Sequence, residues 1–153
     1  MKSGFTLIEL LVVMVIISVI TAAATITISI NHNRQITTFT QELTNLLILA
    51  EEEAMLRPAT LGVSFSQTTF QFYEYRQNIW RPLMERDLGL HPLPKDITLT
   101  IKINGATVTK TPQLIISPSG DLSPFVILIG KIDAKPMYEI TGESNGNIRY
   151  AAE

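Results

Sequence analysis

The chain has 153 residues, with 12 Lys plus Arg against 14 Asp plus Glu, two His and no Cys. A net charge of −2 without a basic cluster argues against a polyanion partner, so no nucleic acid is expected to bind. Zero cysteines exclude a disulfide framework and thiol chemistry, and the length beyond the first apolar run suffices for one modest core.

Residues 5–30 form an uncharged run broken by one acid, Glu9, and preceded by Lys2-Ser3-Gly4. As helix the run is about 39 Å long, enough to cross a hydrocarbon core of about 30 Å. Lys2 retains the short leader in the cytoplasm while the bulk crosses into the periplasm. A central acid in a membrane costs roughly 2.5 to 3.5 kcal/mol, so Glu9 requires a counter-charge. Cutting after Gly4 supplies one, a free amine on Phe5. The competing reading is an ordinary secretory signal with a small-x-small site at Ala22-Ala23-Ala24. The brevity of the leader, the early acid and the continuation to Ile30 weigh against it. Gly4, Phe5 and Glu9 together resemble the class III signal of type IV pilins and type II secretion pseudopilins. That resemblance implies cleavage by a prepilin peptidase between Gly4 and Phe5, N-methylation of Phe5 and an assembly role for Glu9.

The helix is expected to continue. Ile36, Phe39, Leu43, Leu46, Leu47, Ala50 and Ala54 recur at spacings of three and four, one apolar face of an amphipathic helix, and Arg57-Pro58 stops it. The first half lies in the bilayer and the second is the spine of the periplasmic domain. Between them Thr25-Ile26-Thr27-Ile28-Ser29-Ile30 is rich in β-branched residues of weak helix propensity. Loosening on assembly and retention as helix are both open there. Glu51-Glu52-Glu53 opposes the macrodipole near the helix end, with Glu53 placed to pair with Arg57. The run is either a solvated face or a contact for basic residues of a neighbouring subunit, which makes Glu51 and Glu52 candidate contacts.

After Pro58 the period changes to two. Leu61, Val63 and Phe65, then Phe70, Phe72, Tyr73 and Tyr75, then Ile97, Leu99, Ile101 and Ile103 mark strands, and Asn104-Gly105 marks a hairpin. Further strands are expected over residues 113–117, 125–129, 137–141 and 147–150. The fold class is α+β, a long amino-terminal helix packed on antiparallel sheet. Residues 76–95 read as the most irregular stretch, with Trp80 assigned to the core and residues 84–90 to a contact surface that includes Met84, Arg86 and Leu88.

Trp80-Arg81-Pro82-Leu83, Leu93-Pro94, Ile116-Ser117-Pro118-Ser119-Gly120-Asp121 with Pro124-Phe125, and Gly142 with Gly146-Asn147 are similar to the H-type minor pseudopilins of type II secretion. The resemblance covers the whole chain and implies a leader at 1–4, a transmembrane and filament-core helix at 5–30 and a periplasmic domain at 31–153. It implies a structural subunit near the pseudopilus tip that helps drive export of folded periplasmic proteins across the outer membrane. Implied partners are other minor pseudopilins, the major pseudopilin, the prepilin peptidase and the inner-membrane platform. The implied location is the inner membrane, single-pass, with the domain in the periplasm. The alternatives are a minor pilin for DNA uptake, a major pilin or pseudopilin subunit, and an exported enzyme.

The last has little in the sequence to recommend it. His32 and His91 lack metal-ligand spacing and read as solvated or loop residues, and there is no nucleophile elbow or phosphate loop. Asp121, Asp133, Glu139 and Glu143 do not form a calcium loop. No catalytic residue, cofactor or metal is expected, and the 118–121 segment reads as a turn.

Overall fold

The computed structural model describes residues 6–108 and 110–153, and the backbone alone for residues 23–32. The chain divides into two compact units, Met1–Gln35 and Ile36–Glu153. The first helix, α1, runs Leu7–Leu56. Its backbone is helical through residues 25–30.

In the first unit the described large apolar side chains from Leu7 to Ile20 are exposed all round the helix. Ser18 and Thr21 return their hydroxyls to the carbonyls of Met14 and Ile17 at 2.7 and 2.9 Å, so their donors stay satisfied without water. No helix among the described residues is long and apolar enough to cross a membrane.

In the second unit Ile36, Phe39, Leu43, Leu47, Ala50 and Ala54 are buried and Leu46 is partly buried, the stripe expected from the sequence. Thr40 and Thr44 are also buried. Their hydroxyls donate to the carbonyls of Ile36 and Thr40, each at 2.8 Å, which removes the cost of orphaned polar groups. The helix closes on backbone bonds from Arg57 to Glu53 and from Ala59 to Ala54, both 3.0 Å, with Pro58 unable to continue it.

Two antiparallel five-stranded sheets follow. The first contains β1 (Thr60–Phe65), β2 (Thr69–Arg76), β3 (Ile79–Pro82), β4 (Leu90–Pro92) and β7 (Leu114–Ile116), ordered β3-β2-β1-β7 with β4 also on β2. The second contains β5 (Ile97–Ile103), β6 (Ala106–Thr107), β8 (Phe125–Lys131), β9 (Pro136–Gly142) and β10 (Ile148–Ala152), ordered β10-β9-β8-β5-β6. Alternation decides the faces. Leu61, Val63, Phe65, Phe70 and Phe72 from one sheet and Phe125, Ile127, Ile129 and Ile140 from the other enter a common core with the helix stripe.

Two expectations require correction. Residues 76–95 contain the strands β3 and β4, which pair with successive parts of β2. The β2–β3 turn is made by Gln77 (φ 50°) and Asn78 (φ 62°), without the glycine that marks the Asn104-Gly105 hairpin, and Pro82 sits where an outer strand tolerates it. Trp80 is not in the core. It is half-buried on the opposite face of the first sheet, its ring 5.0 Å from Tyr75. There it covers Gly62, where an added Cβ would fall 2.9 Å from the indole. Period-two geometry explains this, because Gly62 points away from the face that Leu61 and Val63 share.

Candidate functional site

The first candidate site is the start of α1. Gly4 and Phe5 lie outside the described residues. Thr6 precedes the first helical residue, and the amides of Glu9 and Leu10 donate to its carbonyl at 3.1 and 3.3 Å. Thr6-Leu7-Ile8-Glu9 has the Thr-x-x-Glu spacing of a capping box. An acid in the first turn also suits the helix dipole. Glu9 thus favours helix initiation, and its side chain is exposed, open to a second chain.

The second candidate site is the 83–89 loop between β3 and β4. The Leu83 amide donates to the Phe72 carbonyl at 2.9 Å, and the Phe72 amide reaches the Gly89 carbonyl at 3.5 Å. The Gln71 side-chain amide donates to the carbonyls of Phe72 and Leu83, both at 2.9 Å. Arg57, just past α1, meets Glu85 at 2.5 Å and Glu53 at 2.8 Å. The Glu85 hydrogen bond and the charges of Glu53 and Glu85 hold that guanidinium above its ordinary range. The loop is therefore tied both to the sheet and to the helix end. Its outer surface presents Met84, 86% exposed, and Arg86. Leu88, assigned to the same surface from sequence, is 3% exposed and belongs to the core. An apolar residue interleaved with charges on a short loop reads alike whether it points in or out, and Gly89 makes the inward turn: an added Cβ there would lie 2.7 Å from the Glu85 carbonyl.

The acidic run on α1 separates by face. Glu52 is exposed, Glu53 pairs with Arg57, and Glu51 is half-buried. A Cβ on Gly146 would overlap the Glu51 carboxylate, and one on Gly120 would lie 3.7 Å from it. Both glycines hold positive φ, 88° and 82°, a conformation that side chains resist. Burial and then the neighbouring Glu52 push the Glu51 carboxyl above its usual range. Glu51 is accordingly packed beside the two glycine turns, whereas Glu52 is exposed. The 117–121 turn forms as expected, with the Ser117 amide bonded to the Asp121 carbonyl at 3.0 Å and the Ser119 hydroxyl donating to the Asp121 carboxylate at 2.6 Å.

The remaining polar candidates are dispersed. Glu143 pairs with Arg149 at 2.8 Å, and Asp133 occupies a turn at φ 59°. His91, read from sequence as solvated or loop, lies on β4 with its ring 4.9 Å from Phe70 and its Nε2 3.1 Å from the Asp87 carbonyl. The side chain of His32 lies outside the described residues. Of the candidate contacts, Met84, Arg86 and Glu52 share exposure, and nothing sequence-visible marked Arg57 and Glu85 as the pair that fixes the loop.

Residues 1–25 match the family model described as the prokaryotic N-terminal methylation motif. The chain is 33% identical to the type II secretion system protein H of Pseudomonas aeruginosa over 80% of its own length and 79% of that protein's. Against the protein of the same name from Aeromonas hydrophila it is 25% identical over 90% and 85%. Its fold is similar to that of the minor pseudopilin EpsH from the type 2 secretion system of Vibrio cholerae, with a TM-score of 0.69 at 20% identity, covering 77% of this chain and 96% of that one. For Escherichia coli GspH in solution the TM-score is 0.58 at 18% identity, covering 73% and 84%. An N-terminal helix on antiparallel sheets, a methylation motif at the start and this extent of identity agree: the chain belongs to the type II secretion system protein H family, with a pilin-like fold.

Proposed function

We propose that this protein is a minor pseudopilin, a structural and non-enzymatic subunit near the tip of the type II secretion pseudopilus that helps move folded periplasmic proteins across the outer membrane. The observation that carries the reading is the join of a methylation motif over residues 1–25 to a domain that aligns with a protein H over 80% of the chain. In this reading residues 1–4 are a leader, residues 5–30 cross the inner membrane once and then line the filament core, and residues 31–153 stand in the periplasm. Head-to-tail helical packing with other minor pseudopilins and the major pseudopilin buries the apolar first stretch of α1. The prepilin peptidase and the inner-membrane platform are its processing and assembly partners.

Each candidate residue has a place in that scheme. The processed amine of Phe5 meets Glu9 of its own or a neighbouring chain, which neutralises an otherwise unfavourable carboxylate in the membrane. Met84 and Arg86 on the tied loop, with Glu52 on α1, are contacts for neighbouring pilin-like domains. Mass spectrometry of the chain extracted from membranes tests the foundation: the expected terminus is methylated Phe5. A terminus at Thr25, as signal peptidase would leave after the alanines, overturns the reading.

A further inference from the structure

The two sheets turn different surfaces outward. Period-two geometry sends Leu61, Val63, Phe70 and Phe72 into the core and places the residues between them on the outer face of the first sheet. One row there runs Pro82-Tyr73-Gly62-Ile115 across β3, β2, β1 and β7. On one side of it Trp80 stands opposite Tyr75, and on the other Leu90 of β4 stands opposite Gln71. No outward position of these five strands carries a charged side chain. The second sheet differs: its outer rows, Lys102-Val126-Thr141-Arg149 and Thr100-Leu128-Glu139-Ala151, carry both signs of charge.

The uncharged face is open. Leu90 is 64%, Ile115 42% and Tyr75 41% exposed. Trp80 and Pro112 both pack onto Gly62, and the Tyr75 ring lies 5.0 Å from the indole, so the aromatic centre is ordered before any partner arrives. Depletion of charge together with Trp and Tyr marks the centre of a protein interface rather than ordinary surface.

Area and continuity point to the occupant. β2 has eight residues, about 27 Å of strand, and four lanes at about 4.8 Å give a face of at most about 500 Å². A free complex takes about 800 Å² from each partner, so the face alone is too small to hold a freely diffusing protein. It suffices for a domain already kept alongside by packed helices. The face also borders the 83–89 loop, which leaves at Pro82 and returns at Leu90 and presents Met84 and Arg86. Arg86 is exposed and makes no ion pair among the described residues.

We propose that the outer face of the first sheet seats the domain of a neighbouring, different pilin-like chain, which lays an uncharged apolar surface over Trp80, Tyr75, Ile115 and Leu90 and brings a carboxylate to Arg86 at the margin. The inference deepens the filament reading above and rests on it. A second copy of this chain is the poorer occupant, because the matching face that it offers has no carboxylate for Arg86.

The test uses the full chain in cells that make the whole secretion apparatus. Because the chain has no cysteine, Leu90→Cys, Ile115→Cys and Thr100→Cys each carry one benzophenone-maleimide label, the last as a control on the outer face of the second sheet. The expected result is a photo-adduct with a different pilin-like subunit from positions 90 and 115 and none from 100. Tyr75→Glu buries a charge under the partner and should lower the yield from both positions at least about tenfold, whereas Tyr75→Phe should leave it unchanged. Arg86→Glu should lower it by a smaller factor, as a charge at the rim does. Should Tyr75→Glu fail to accumulate, Leu90→Glu with the label at 115 carries the same expectation. No adduct from 90 and 115, equal adducts from 100, adducts that survive both face charges, or adducts only with a second copy or with exported cargo would each overturn the proposal. A methylated Phe5 with filament adducts from Met84→Cys and none from 90 and 115 would show that the sheet-face assignment failed and the filament reading did not.

Discussion

The two stretches of α1 use the same apolar residue types with opposite burial. From Leu7 to Ile20 the large apolar side chains are 45–84% exposed, whereas Ile36, Phe39, Leu43 and Leu47 are 0–5% exposed. Pattern separates them. The first stretch is apolar all round and has no polar face to turn outward, as befits a helix that finds its partners in lipid or in a bundle of other helices. The second confines its apolar residues to one stripe, leaves Gln41, Glu42, Asn45 and Glu52 exposed, and is covered by the domain's own sheets. Domain stability should therefore rest on the second stretch and assembly on the first.

The largest test of that division is truncation of the stripe. Leu43→Ala and Leu47→Ala should each cost about 2–5 kcal/mol, since both side chains are fully enclosed. Leu11→Ala and Val15→Ala should leave the domain's urea midpoint unchanged. Denaturant melts of detergent-solubilised protein followed by circular dichroism compare all four. A loss from Leu11→Ala as large as that from Leu43→Ala would break the division.

The same contrast exists inside one loop. Leu88→Ala should cost about 2–5 kcal/mol as a core truncation, while Met84→Asp, on an 86% exposed side chain, should stay within about 0.5 kcal/mol of the parent. In crosslinking to other pseudopilins the order should invert, with Met84→Asp losing adducts while its circular dichroism stays native. Retained adducts would move the contact away from this loop.

Much of this arrangement was legible in the residues. Ile36 to Ala54 announced the buried stripe, the alternation of Ile97 to Ile103 announced β5, and Asn104-Gly105 announced its hairpin, because each is a repeat or turn with one dominant physical reading. Trp80, Leu88 and His91 were misplaced for a shared reason. All three lie in a stretch where the strands are three or four residues long and the turn contains no glycine, so periodicity has no length over which to show itself. The Arg57–Glu85 pair joins positions far apart in sequence, and local spacing carries no signal of such contacts.

At the other end of the helix, the proposed pairing of Glu9 with a processed amine predicts that Glu9→Ala leaves leader removal and domain stability intact while reducing crosslinks to neighbouring pseudopilins. The capping-box spacing of Thr6 and Glu9 predicts in addition a small loss of helix at the start of α1, which Glu9→Gln should restore. Gel-shift analysis of processing and photo-crosslinking in membranes read both. Undiminished crosslinks from the alanine variant would remove Glu9 from assembly and leave it as a cap.

The smallest expected effect belongs to Glu51, on the stripe-bearing half of α1 but between its buried and exposed faces. Burial, then the charge of Glu52, raises its pKa in the folded chain above the ordinary glutamate value. Between the unfolded value and the raised one the folded state binds more protons than the unfolded state, so stability falls as pH rises through that window. Above it the cost of keeping Glu51 ionised is fully present; below the ordinary glutamate range it is gone. Glu51→Gln keeps the side-chain length that packs against Gly120 and Gly146 and removes the charge. It should therefore melt higher than the parent at pH 7, with the gain shrinking to nothing as the buffer is taken down through the acid range. Thermal melts of both proteins across that range give the sign directly. A glutamine variant that melts lower at pH 7 would mean that the ionised carboxylate is held by the Gly120 and Gly146 turns more strongly than burial opposes it.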